Sequence, residues 1–289
     1  MANLNDGDNW TSIKIIPSTH NSGAIKPLDG CSCIPWFWAK CQNVNIMDQL
    51  NIGIRGFDFR LINYSNDIFI GHTLISNLTK QSIFDTFKSF LKENPSEFIF
   101  VFIKEDWATR KEWNFNKVQK FWNSLIKIDD YSNGYNNTIF MDPKVNIKDV
   151  IIKHLRGKLI LIPDNRFNHY VNTSLKVEVG TLPMDFFNVC NTWSSGDMNS
   201  AKETILQFIE KKCKKENTDA TPNDIITLNN MYNIIQLNVV VLKGCLPPYF
   251  VSYKMNKWFR GYLQNNQNKA LGFVCVDYAT ESLIKDMVC

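Results

Sequence analysis

Residues that can transfer protons or bind anions stand at the ends of short apolar runs along this chain. Asp58 and Arg60 are two positions apart and therefore share one face of a strand. Histidines and carboxylates transfer protons, while guanidinium and ammonium groups stabilise developing negative charge. The set therefore suits acid–base chemistry on a phosphodiester, and it consists of His20, Asp58, Arg60, His72, Lys104 and Asp277.

Each of these residues also has a structural explanation. A strand-end histidine is commonly a satisfied structural residue, and an Asp-x-Arg pair is often an ion pair. Lys104 can extend from an apolar wall to water. All of these structural explanations would have to hold together at one rim of the same fold. Because that coincidence is improbable, we favour the functional interpretation.

The elements that position these residues alternate between short apolar runs and longer helical patterns. This alternation predicts an α/β fold, a distorted or incomplete (β/α)8 TIM-type barrel, with working groups at the carboxyl ends of its strands. One domain spans residues 1–289. The predicted strands are Ser12–Ile16, Gly53–Leu61, Ile68–Gly71, Phe98–Lys104, Lys158–Ile162, Phe186–Asn191, Asn233–Val241 and Gly272–Asp277. The predicted helices are Ser82–Glu93, Glu112–Ile126, Ile147–His154, Ala201–Lys212 and Tyr253–Leu263, and the crossover 21–51 is expected to be irregular.

Composition narrows the possible functions. Lys and Arg number 32 against 28 Asp and Glu, a balance too even for a dedicated nucleic-acid binder. No apolar run reaches the roughly 18 residues of a spanning helix, and the polar N-terminus has no signal-peptide core. With neither feature, we expect a cytoplasmic protein whose association with membranes is peripheral. We also expect a monomer. Its eight cysteines are expected to be reduced, and Cys31-Ser-Cys33 lacks partners at zinc-ligand spacing.

Several motifs, taken in order and spacing, make the chain resemble one known family. The clearest lie between about residues 12 and 106, and weaker similarity continues through 156–159 and 272–278. The motifs resemble the X-type catalytic domain of phosphatidylinositol-specific phospholipases C, in the compact bacterial and X-domain-only eukaryotic branches. They are Ile16-Pro17-Ser18-Thr19-His20-Asn21-Ser22-Gly23-Ala24, Cys41-Gln42-Asn43, Gln49-Leu50-Asn51-x-Gly53-Ile54-Arg55-x-Phe57-Asp58-x-Arg60, Gly71-His72-Thr73-Leu74 and Asn94-Pro95-x-Glu97.

The resemblance implies a barrel and a two-histidine mechanism without cofactor or metal. His20 would deprotonate the inositol 2-hydroxyl, oriented by Asp277, and His72 would protonate the leaving diacylglycerol oxygen. Arg60 would stabilise the phosphoryl charge, and Asp58 would support both the arginine and the acid. The products would be diacylglycerol and inositol 1,2-cyclic phosphate.

The sequence departs from the bacterial pattern after the first histidine. The bacterial branch carries there an aspartate that works with the general acid, whereas this chain has Asn21. In the calcium-using branch an asparagine at this position is a ligand, but two further carboxylate ligands are replaced by Arg60 and Lys104. The resemblance therefore implies calcium-independent activity.

Further residues are expected to contact the substrate or the membrane. Substrate contacts are predicted for Lys104, Asp164, Arg166, Asn191 and Trp193. The aromatic run Trp36, Phe37 and Trp38 in the first crossover either packs in the core or inserts into a lipid interface, where Trp is favoured.

Two other functions are weighed against this one, and the first of them stays open. A catalytically weak X-domain protein could bind inositol lipids at a membrane without cleaving them, and Asn21 is the residue that favours it. The second alternative is a metal-dependent glycerophosphodiesterase on a similar barrel. It is disfavoured because this sequence lacks the carboxylate cluster that such a metal would need.

Overall fold

The computed structural model describes eleven parts of the chain. These are residues 1–28, 33–65, 67–106, 114–128, 138–139, 149–164, 187–192, 196–212, 232–237, 247–267 and 269–288. At 33–35, 115, 122–123 and 126–128 only the backbone is described.

A curled, mainly parallel sheet forms the centre of the fold. Its described strands are β1 (Ile15–Thr19), β2 (Gly56–Tyr64), β3 (Asp67–His72), β4 (Leu74–Ile75), β5 (Ile99–Glu105), β6 (Leu159–Pro163), β7 (Phe187–Cys190), β8 (Tyr232–Gln236) and β9 (Gly272–Val276). The parallel strands follow the spatial order β6-β5-β2-β1-β9-β8-β7. Among the described residues, no pairing joins β6 to β7. The predicted distorted or incomplete α/β barrel is therefore confirmed.

Helices pack around this sheet, and most of them cover its outer face. They are α1 (Cys33–Ala39), α2 (Ile46–Asn51), α3 (Lys80–Glu93), α4 (Phe115–Ile128), α5 (Ile152–Leu155), α6 (Met198–Lys212), α7 (Pro248–Gln264) and α8 (Glu281–Val288). Thr79 and Ser82 cap the start of α3 reciprocally, and its apolar face repeats at helical spacing as predicted. Within the described parts of the chain, no helix combines the length and apolar character needed to span a membrane.

The first and third predicted strands need correction. Trp10–Ser12 forms a 3-10 turn, and β1 begins at Ile15 rather than Ser12. The third strand is not a parallel barrel strand, because β3 returns antiparallel to β2 and pairs Leu61 with Ile70. Its apolar residues Ile68, Phe69 and Ile70 predict a strand but not the direction in which that strand runs.

The alternation of side chains along the parallel strands creates the site. Phe98, Phe100 and Phe102 point into the barrel interior, whereas Ile99 and Val101 face the helices. On β9 the same inward series leads from Phe273 through Cys275. Because side chains alternate with a period of two, the inward face of each of four strands presents a polar residue at or just past its carboxyl end. These residues are His20, Arg60, Lys104 and Asp277.

One glycine lets two of these strands approach closely. A Cβ at Gly56 would lie 2.1 Å from Ser18 Oγ across the β1–β2 pair. A side chain at this position would push apart the strands that carry His20 and Asp58. The glycine is therefore required by packing rather than by backbone conformation.

Candidate active site

His20 is fixed at the floor of the site. Its Nδ1 atom hydrogen-bonds Asp277 Oδ1 at 2.8 Å, and both residues are buried. Asn256 Nδ2 donates to the backbone carbonyl of Asp277 at 2.8 Å. A carboxylate on Nδ1 orients the ring, so Nε2 is the nitrogen that can serve a reacting group.

Asp58 gathers two cations beside this histidine. Arg60 Nε and Nη2 each lie 3.3 Å from Asp58 Oδ2, and Lys104 Nζ lies 3.3 Å from Oδ1. Burial alone would raise the pKa of Asp58, but Arg60, Lys104 and His20 outweigh it and lower this pKa far below its usual value. The carboxylate therefore stays ionised and holds the guanidinium and ammonium groups together.

His72 lies opposite His20, with ring centres 6.4 Å apart. Its Nδ1 atom is 3.0 Å from the carbonyl oxygen of Ala39 at the end of α1 and 3.8 Å from Cys41 Sγ. Burial lowers the pKa of His72, and the nearby His20 lowers it further, although the Ala39 hydrogen bond opposes this. A lowered pKa makes the protonated ring a stronger acid while reducing its population at neutral pH.

The surroundings of His72 differ from the sequence expectation. Asp58 lies 4.0 Å from Nε2 of His20, so it contacts the other histidine. The carboxylate whose charge raises the pKa of His72 is Asp106. Asn21 reaches His72 only through the thiol, because its Nδ2 donates to Cys41 Sγ at 3.5 Å.

The backbone turns sharply after each of the three acid–base residues. Asn21, Thr73 and Tyr278 follow His20, His72 and Asp277 and have φ angles of 44°, 61° and 49°. Left-handed conformations are costly for residues other than glycine, above all for a β-branched one. Such strain at three residues that follow the acid–base residues of one site is typical of a functional site.

Sequence reasoning missed two residues that hold these turns. Gln42 Nε2 donates to the carbonyls of His20 and Val276, both at 2.9 Å, and thus links the ends of β1 and β9. Asp106 accepts the backbone N–H of Thr73 at 3.1 Å. Gln42 stands in a quoted motif, but only the fold reveals its partners.

The predicted substrate contacts separate into three groups. Lys104 is in the site beside Asp58. Asp164 and Asn191 lie on the rim just past β6 and β7, where Asp164 N–H bonds the carbonyl of Ile103 at 2.9 Å. Arg166 and Trp193 lie outside the described residues.

The aromatic run of α1 also divides. Trp36 is only 6% exposed, so the prediction that it contacts a membrane is wrong: its ring packs in the protein. Phe37 and Trp38 are 47% and 39% exposed. The helix turns these two outward because three side chains in succession cannot share one helical face.

A second group of exposed aromatics was missed by the sequence analysis. Tyr249, Phe250 and Tyr253 at the start of α7 are 44–65% exposed. Tyr249 packs on Tyr278 with ring centres 5.2 Å apart, and Tyr278 donates to the carbonyl of Lys40 at 2.8 Å. Tyr278 therefore connects the start of α7 to the end of α1 on one rim.

The fold and this rim define a class: an incomplete parallel α/β barrel with two histidines, an arginine and two carboxylates at the carboxyl ends of its strands. Solved structures of the same fold are phosphatidylinositol-specific phospholipases C. The one from Listeria monocytogenes has a TM-score of 0.74 at 17% identity, covering 100% of this chain and 96% of its own. A variant of the Staphylococcus aureus one has a TM-score of 0.68 at 18% identity, covering 99% and 96%.

Curated relatives confirm the resemblance drawn from the motifs. A 1-phosphatidylinositol phosphodiesterase from Staphylococcus aureus strain Newman is 28% identical over 183 residues, 62% of this chain and 53% of the relative. One from Listeria monocytogenes is 25% identical over 171 residues, 57% of this chain and 48% of the relative. The chain thus matches about half the length of these relatives. No family model matches it.

Proposed function

We propose that the chain is a phosphatidylinositol phosphodiesterase of the phospholipase C type. It cleaves phosphatidylinositol, or a glycosyl-phosphatidylinositol, into diacylglycerol and inositol 1,2-cyclic phosphate. The observation that carries this proposal is the pair of facing histidines, His20 and His72, beside the Arg60–Asp58–Lys104 cluster. The relatives named 1-phosphatidylinositol phosphodiesterase support the choice of substrate.

In the first step, Nε2 of His20 takes the proton of the inositol 2-hydroxyl, whose oxygen attacks the adjacent phosphorus. Asp277 supports this role by its 2.8 Å contact with Nδ1, because it selects the tautomer that leaves Nε2 free. It also stabilises the imidazolium that forms. A positioned base of this kind contributes about 10²–10⁴-fold to the rate.

In the same displacement, His72 gives its proton to the departing diacylglycerol oxygen as the phosphorus–oxygen bond breaks. The 6.4 Å spacing of the rings lets both histidines reach oxygens of a single phosphate group. The Ala39 carbonyl accepts a hydrogen bond at Nδ1, so the proton for the leaving oxygen would come from Nε2 of His72.

Charge on the phosphoryl oxygens is balanced by the protein's own cations. Arg60 offers a planar fork of donors and Lys104 a point charge, and Asp58 keeps both in place at 3.3 Å. This pair removes the need for a metal at the phosphate, since a divalent cation would meet like charges there.

Membrane binding would use the aromatic rim. Phe37 and Trp38 on α1 and the exposed aromatics of α7 lie on the side where Tyr278 adjoins the active site. We propose that this rim rests on the lipid surface and that the protein acts as a peripheral membrane enzyme.

The proposal is tested by turnover of phosphatidylinositol in vesicles with excess chelator present. We expect sustained release of inositol 1,2-cyclic phosphate at a rate equal to that without chelator. Vesicle binding without product would favour the lipid-binding alternative instead. Activity that disappears in chelator and returns with added calcium would contradict the metal-free mechanism.

A double variant tests the membrane-facing role of α1. Replacing Phe37 and Trp38 with Ala should lower vesicle affinity at least about tenfold, because each such side chain gains about 1.5–3 kcal/mol when fully buried. Turnover of a monomeric short-chain substrate should not change. Leu206→Ala, an exposed apolar residue on α6, is the control and should leave both activities intact. Equal losses on the two substrates would mean that these side chains support the site itself.

A further inference from the structure

A buried thiol lies inside the proposed catalytic site and has no part in the mechanism above. Cys41 is 1% exposed, and its sulfur is 3.8 Å from His72 Nδ1. His20, Cys41 and Asp277 can each offer one ligand atom, and these three atoms lie within 4.8 Å of one another. An imidazole, a thiol and a carboxylate are three of the groups that bind zinc in proteins.

We propose that His20, Cys41 and Asp277 form an inhibitory site for a thiophilic divalent cation of the zinc class. The cation would not take part in catalysis. It would bind the residues that activate the base and so hold the enzyme inactive.

The geometry suits a small tetrahedral ion. With bonds of about 2.0–2.3 Å, the ligand atoms of a tetrahedral zinc site lie about 3.3–3.8 Å apart. His20 Nδ1 and Asp277 Oδ1 are 2.8 Å apart, and one ligand atom from each of the three residues lies within 4.8 Å of the other two. Shifts of less than about 1.5 Å would therefore close the site. His72 Nδ1 is 3.8 Å from the sulfur, and either this nitrogen or a water can take the fourth position.

The local charges favour a soft cation here over a hard one. The Asp277 carboxylate lies within 4.8 Å of the Cys41 sulfur, so a cation held between them would offset the negative charge of both the carboxylate and the thiolate. Arg60 and Lys104 are paired with Asp58, which reduces their repulsion. Zinc would displace the thiol proton to solvent and bind the thiolate. Calcium and magnesium, which prefer six or more oxygen ligands or near-octahedral geometry, do not fit.

The inhibitory consequence rests on the proposed function. Zinc on Nδ1 of His20 leaves the ring proton on Nε2, so this nitrogen can no longer accept a proton from the inositol hydroxyl. Zinc should therefore lower kcat rather than raise KM, and it should act equally on vesicles and on a monomeric substrate.

The test compares three proteins: wild type, Cys41→Ser and Cys190→Ser. Cys190 is also buried, but its pKa is raised to about 12 by burial alone, so no charged neighbour is implicated there. It is the matched control. Each reduced, chelator-treated protein is titrated with cadmium while the thiolate-to-metal absorption is recorded. Zinc inhibition is then measured on monomeric short-chain phosphatidylinositol, relative to each protein's own metal-free rate.

We expect a thiolate–cadmium band that Cys41→Ser loses and Cys190→Ser keeps. Loss of the sulfur ligand should raise the half-inhibitory zinc concentration at least about tenfold. Identical titrations of wild type and Cys41→Ser would overturn the proposal. Cys41→Ala gives the same comparison if the serine variant misfolds. If the wild-type protein did not cleave phosphatidylinositol, the proposed function would be wrong. The cadmium titration would still test the metal site, because it does not depend on turnover.

Discussion

His20→Ala and His72→Ala should each reduce phosphatidylinositol turnover by about 10²–10⁴-fold, because each removes one positioned proton-transfer group. His20 is the base held by Asp277 at 2.8 Å, and His72 is the acid on the opposite side. The measurement is kcat on a monomeric substrate, so that membrane binding does not enter. Each variant should keep the wild-type circular dichroism spectrum.

His154→Ala is the matched control for these variants. His154 is exposed on α5, away from the carboxyl ends of the strands, and its loss should leave turnover within experimental error. If either His20→Ala or His72→Ala kept near-wild-type turnover, the two-histidine mechanism would be wrong.

The pH profile separates the acid from the base. Burial and His20 lower the pKa of His72, and the acid works only when protonated. Its contribution to kcat/KM is therefore full below that lowered pKa and is lost as the pH rises through it. The residual activity of His72→Ala should not show this decline at alkaline pH. If His72 had only a structural role, the variant would be less active but would keep the decline.

The inward-facing residues of the site could be predicted from the sequence because they follow from a local pattern. Alternation places Lys104 on the same face as Phe98 and Phe102, and Arg60 on the same face as Asp58, without knowledge of the fold. The apolar runs that precede them are long enough to identify the strands. Where two strands lie side by side, their ends then meet at one rim.

Other features depend on contacts between distant segments and could not be predicted. The antiparallel return of β3 brings His72 level with the β2 residues, and a strand pattern carries no direction. Gln42 holds the backbone of Val276, 234 residues away. In the sequence, Cys41 is indistinguishable from a cysteine buried in an apolar core. Only the fold places its sulfur next to His20 and Asp277.

The burial of Trp36 has the same origin. Three aromatic residues in succession favour a surface that inserts into a lipid interface. A helix, however, turns about 100° per residue. One of the three must therefore face the protein when the helix lies on it. Which one does so is decided by the contacts of α1, and these are not encoded in the run itself.

Arg60→Lys should lower kcat by about 10²–10³-fold, the range found when one donor to a developing oxyanion is removed. The substitution keeps the positive charge, so the loss would come from geometry. Arg60 contacts Asp58 through both Nε and Nη2 at 3.3 Å, which fixes the plane of the guanidinium and directs its remaining donors. A lysine would add a second point charge beside Lys104 but no fork.

The control for this loss is Arg260→Lys, at an arginine of α7 that pairs with Asp286 on α8. That pair is partly exposed and should contribute little, so turnover should not change. If Arg60→Lys retained more than about a tenth of the wild-type kcat, the fork would not be what stabilises the transition state. Charge alone would then suffice, and Lys104 would be the residue to test next. Added calcium should not rescue Arg60→Lys, because lysine at position 60 still presents a cation where the calcium-using branch has a carboxylate ligand.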